Sequence, residues 1–96
     1  MSAVNTGEVY YRLWRTRGDV VAREFREDIL PSLPIRVAVP SYDGIMAAAR
    51  LKALHPGTSY ADCFCAALAL DVGATVVTGD PEFARFEPEL HVLWLP

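Results

Sequence analysis

Apolar residues recur at helical spacing in four stretches of the chain and as short unbroken runs in three others, with proline and glycine between them. Ser2 is placed to cap a helix to about Arg15 carrying Val9, Tyr10, Leu13 and Trp14 on one side, and Gly18 stops it. Asp19 is placed to cap a second helix from Val20 to about Leu30, where Val21, Phe25 and Ile29 repeat every four residues before Pro31 and Pro34. Ile35 to Val39 is a β-branched run that predicts a short strand ending at Pro40. Ser41 opens a helix through Leu54, His55-Pro56-Gly57 breaks it, and Ser59 opens another to about Val72 before Gly73. Ala74–Thr78 predicts a buried strand, Gly79-Asp80-Pro81 a turn, and His91–Leu95 a last strand. Strands that are apolar throughout and separated by helices predict a parallel sheet flanked by helices, an α/β chain.

Composition sets the scale. At 96 residues and 52% hydrophobic, the chain is expected to form a single domain over 1–96, and an oligomer contact would add to so small a core. No apolar run reaches membrane length, and the amino-terminal segment is charged where a signal peptide is apolar, so a cytoplasmic protein without a membrane partner is expected. Cys63 and Cys65, two apart in a helix, would point away from each other and read as small core residues. Twelve acidic against nine basic residues exclude a polycation that coats nucleic acid, but not an enzyme that handles it through metal ions, whose site consumes carboxylates. Five of the nine basic residues, Arg12, Arg15, Arg17, Arg23 and Arg26, fall close together. Interleaved with Asp19, Glu24, Glu27 and Asp28 they read as solvated helix faces, with RNA backbone contact as the alternative for those just after Glu8.

Three acids stand where chemistry is possible. Asp80 follows ATVVTG at the carboxyl end of a predicted strand, where open α/β sheets bind ligands, and it reads equally well as the N-cap before Pro81. Asp62 lies in the first turn after Ser59, favoured there by the helix dipole. It heads a stripe of small residues, Ala66, Ala69 and Gly73, that lets this edge approach another element. Glu8 has an ordinary reading as the partner of Arg12 one turn on. The conjunction of three acids on elements that a parallel sheet brings to one end favours a hard divalent cation, since converging carboxylates repel unless one neutralises them. An all-oxygen set suits Mg²⁺ or Mn²⁺.

The segment Thr58-Ser59-Tyr60-Ala61-Asp62-Cys63, with AALALDVGATVVTGDPEF from Ala66 to Phe83, resembles the second half of PIN domains, most closely the VapC-like toxins of bacterial toxin-antitoxin pairs. The helix carrying Glu8 and the AAARLK stretch from Ala47 to Lys52 are similar to the family's corresponding helices. The resemblance implies a three-layer fold and a Mg²⁺- or Mn²⁺-dependent ribonuclease in which Glu8, Asp62 and Asp80 are metal-binding and catalytic. It implies Thr78 and Glu82 as auxiliary residues, and it implies a VapB-like antitoxin and a second copy of the chain as partners.

In the family a strand ending in an aspartate precedes the glutamate helix, whereas Met1 here lies almost at that helix, so the first strand and first acid are expected to be missing. Either the coding region extends upstream of Met1 or the short product is natural. In the second case weak nuclease activity is expected. The competing reading is then a catalytically impaired remnant that dimerises or binds antitoxin. A nucleotide binder of the doubly wound type is disfavoured because no glycine-rich loop joins a strand to a helix.

Overall fold

A computed structural model describes all residues, 1–96, and divides them into two compact units, Met1–Val39 and Pro40–Pro96. In the first unit Ser2 caps α1 (Ala3–Arg17), its hydroxyl oxygen accepting the Val4 amide at 3.3 Å. Gly18, at φ 91°, turns the chain and donates its N–H to the Trp14 carbonyl. There α2 (Asp19–Glu24) begins, with Asp19 as its first residue rather than its cap. A π-helical turn, Phe25–Ile29, leads into the single α-turn α3 (Leu30–Ser32). The helical path thus runs past Pro31 instead of stopping before it. A proline lacks an N–H and crowds the carbonyl four residues back, and the wider turn just before it relieves that contact. Ala22 is fully buried where α2 packs on α1, whereas Trp14 meets Tyr10 edge to face at 5.8 Å and leaves about half of its surface exposed.

The Ile35–Val39 strand shrinks to one parallel bridge, Ser2 to Ala38. Around it the Met1 ammonium donates to the Arg36 carbonyl at 2.9 Å, Ala38 N–H to Met1 O at 2.8 Å, and Ala3 N–H to Ala38 O at 2.8 Å. The pairing stops at Ala3 because α1 starts there and directs its backbone groups along its own axis.

In the second unit Ser41 caps α4 (Tyr42–Leu54) by accepting the Gly44 amide at 3.1 Å, and Ser59 caps α5 (Tyr60–Val72) by accepting the Asp62 amide at 3.1 Å. Gly73 ends α5 at φ 67°, a left-handed conformation that other residues enter only with strain. The two helices pack through small side chains: Ala48, Cys63, Ala66 and Ala69 are buried, while Val72 is exposed. Phe64, Val76, Phe83, Phe86 and Leu90 extend this core. Two short strands, β1 (Val76–Thr78) and β2 (Val92–Trp94), pair in parallel with Val76 opposite Val92 and Thr78 opposite Trp94. A 3₁₀ helix, Pro81–Phe86, lies between them in sequence. Parallel strands require such a crossover, and a largely helical chain with a small parallel sheet is the α/β class that the apolar pattern predicts. No helix is long and apolar enough to cross a membrane.

Candidate metal centre

At the carboxyl end of β1 the chain makes two consecutive side-chain-to-backbone closures. Thr78 Oγ1 accepts the Asp80 amide at 3.1 Å, and Asp80 Oδ1 accepts the Glu82 amide at 2.9 Å. The second is the N-cap of the 3₁₀ helix, with Pro81 at its first position. Thr78 therefore acts on Asp80 by fixing its backbone. Across the unit, Ser59 Oγ holds the Asp62 amide in the first turn of α5, which fixes where the Asp62 carboxylate emerges.

These constraints bring three carboxylates together. Asp62, Asp80 and Glu82 each place an oxygen within 4.8 Å of the others, with Asp62 and Glu82 half-buried and Asp80 exposed. Asp80 is both cap and cluster member, so the two roles open to it from the sequence are compatible: one oxygen caps the helix and the carboxylate still reaches the other acids. Like charges at this spacing repel by about 1 kcal/mol per pair even at the dielectric of water. Oxygen ligands at about 2.0–2.6 Å from a cation lie up to about 4–5 Å apart across it, so the three residues fit a hard divalent ion such as Mg²⁺ or Mn²⁺. Glu82, only an auxiliary acid by resemblance, stands in the cluster because the 3₁₀ turn returns it to Asp80; its spacing of two from Asp80 was the available signal.

Glu8 belongs to the other unit. It sits on α1 with Oε2 3.6 Å from Arg12 Nη2, the ion pair expected at that spacing. Arg15 and Arg17 occupy the last turn of α1 and are exposed, where their charge complements the carbonyl end of the helix.

Two neighbours of the cluster do other work. Lys52 spans the turn between α4 and α5, its ammonium donating to the Pro56 carbonyl at 2.8 Å and to the Thr58 carbonyl. Thr58, almost fully buried, donates its hydroxyl to His55 O. Together they brace the turn from which Ser59 and Asp62 follow. In the sequence only its position six residues before Thr58 hints at this role for Lys52. Cys63 is fully buried and Cys65 partly so, both as free thiols. Burial, with a smaller contribution from the Asp62 charge, pushes both thiols up from their ordinary value.

A profile of the PIN domain family matches residues 1–87. No curated protein and no solved structure matches the chain.

Proposed function

The chain belongs to the PIN domain family, whose members are in general metal-dependent nucleases, and on that premise we propose that it is an endoribonuclease of the VapC-like toxin kind. The observation that carries the reading is the convergence of Asp62, Asp80 and Glu82 within 4.8 Å. These three would hold Mg²⁺ or Mn²⁺. The bound cation would supply a water of lowered pKa and positive charge for the phosphate oxygens. The protein's own part is to hold that arrangement. Thr78 and the cap on Glu82 set the Asp80 backbone, the brace at Lys52 and Thr58 sets Asp62, and a carboxylate oxygen not engaged in capping orients the attacking water in line with an RNA phosphodiester. Arg12, Arg15 and Arg17 contact the RNA backbone. A VapB-like antitoxin silences the site by laying a basic side chain on the carboxylates, for which their clustered charge is complementary.

A homodimer accompanies this reading, supported by the exposed apolar residues Val77, Leu93 and Leu95 on and beside the two-stranded sheet. A single-chain mass in solution at high concentration would remove it. The nuclease reading itself is tested with structured RNA, Mg²⁺ or Mn²⁺, an EDTA control and the Asp80→Asn variant. Cleavage is expected to vanish in both controls, and cleavage that survives either one overturns the assignment.

A further inference from the structure

We propose that the second unit also carries a nucleotide subsite apart from the carboxylates, in which Arg50 and Arg85 take a phosphate of the bound RNA strand. The proposal rests on the nuclease reading for the identity of the strand. A cavity of about 250 Å³ lies between the last turns of α4 and the residues around the end of the 3₁₀ helix, with Arg50 and Arg85 in its wall beside Phe86, Glu87 and Glu89.

Both guanidinium groups are available. The ion pairs of the chain use Arg12 and Arg23, and the neighbouring cation Lys52 is engaged by backbone carbonyls. Arg85 is also specifically accommodated. A Cβ on Gly57 would fall 2.3 Å from Arg85 Nη1 and 3.2 Å from Cζ, so the guanidinium occupies the room a side chain there would take. Gly57 is not among the glycines with positive φ, so its backbone does not demand glycine, and the space for Arg85 is what the residue provides. Both arginines line one cavity, and a guanidinium offers paired N–H donors to phosphate oxygens.

The acids in the same wall narrow the ligand class. Free inorganic phosphate would meet Glu87 and Glu89 as well as the arginines. A nucleotide instead presents amino groups, such as N4 of cytosine, that carboxylates accept. Arg85 lies five residues beyond Asp80 along the 3₁₀ segment, about 10 Å at roughly 2 Å per residue. In the proposed complex a strand with one phosphate at the carboxylates continues into this cavity.

The test measures fluorescence anisotropy of a labelled 2′-O-methyl oligocytidylate on the full chain in EDTA, for wild type, Arg50→Ala, Arg85→Ala and Gly57→Ala, each checked for folding by circular dichroism. Each arginine variant is expected to weaken binding about tenfold, the scale of a lost charge-assisted hydrogen bond. Each is also expected to flatten the salt dependence by about one phosphate contact. Gly57→Ala keeps every charge and is expected to weaken binding in the same direction, because it displaces Arg85. Unchanged affinity and salt dependence in all three variants, or no binding by wild type, overturns the subsite. If wild type cleaves RNA with Mn²⁺ while the three variants bind as wild type does, the subsite alone is lost. If binding depends on the arginines and no metal-dependent cleavage occurs, the subsite stands and the nuclease reading is lost.

Discussion

Asp80 separates structure from chemistry within one side chain. Its Oδ1 caps the 3₁₀ helix through the Glu82 amide, and asparagine caps as well as aspartate does. Asp80→Asn keeps the cap and removes one of three repelling charges, so it is expected to be at least as stable as wild type without metal while abolishing cleavage. Asp80→Ala should lose cleavage and be about 1 kcal/mol less stable than the asparagine variant. Denaturant titration beside an RNA cleavage assay distinguishes them, and an equally destabilised asparagine variant would show that charge rather than capping holds this turn. Cys63 supplies a pH signature. Its thiol is pushed up in the folded state chiefly by burial, so the unfolded chain loses its proton first as pH rises. Stability is then full below the ordinary thiol range and falls as pH climbs from there towards the raised folded value. Chemical denaturation from neutral to alkaline pH should show that decline, and Cys63→Ala should reduce it to the share that Cys65 contributes.

At the scale of elements, the candidate centre depends on two short devices that set where helices begin. Ser59 fixes the first turn of α5 through the Asp62 amide, and the Lys52 and Thr58 contacts fix the turn before it. Ser59→Ala should cost about 1 kcal/mol, the usual worth of a serine N-cap. It should also lower cleavage, since the Asp62 carboxylate would emerge from a frayed turn. Amide hydrogen exchange checks the mechanism: faster exchange confined to the first turn of α5 is expected, and unchanged exchange there would show that packing by Cys63 and Ala66 alone holds the turn. The small residues of α5 matter for the same reason. Ala66 and Ala69 are buried because short side chains let the helix lie close to its neighbour, which keeps Asp62 near the end of β1.

For the molecule as a whole, the expected signature is linkage between metal and stability. Three carboxylates held within 4.8 Å repel in the metal-free protein, and a cation that binds only the folded state stabilises it by mass action. Melting temperature should rise with Mn²⁺ concentration and return to its starting value with EDTA. Glu82→Gln should raise the metal-free melting temperature slightly by removing one repelling charge, and should shrink the Mn²⁺ response. A Mn²⁺ response of full size in both Glu82→Gln and Asp80→Asn would place the ion elsewhere. The formal charge of −3 carries none of this information, because the total is silent about which acids meet.

Helix starts and stops were legible in the linear chain because their causes are local. Ser2, Ser41 and Ser59 cap with their own hydroxyls, and Gly18 and Gly73 take backbone angles that glycine alone adopts without strain. The parallel β1–β2 pairing was legible for a similar reason, as two apolar runs with a crossover between them. What depends on distant residues was not. The Ile35–Val39 run has strand chemistry, yet a strand exists only as far as a partner's backbone groups are available, and here they reach only Ala38. The widened turn before Pro31 reflects a steric conflict settled by the continuing helix. The rise of Glu82 from auxiliary acid to a place within 4.8 Å of Asp62 and Asp80 required the first turn of α5 and the start of the 3₁₀ helix to meet. Caps and turns are decided within a few residues, whereas the distance between two carboxylates is decided by the packing of the elements that carry them.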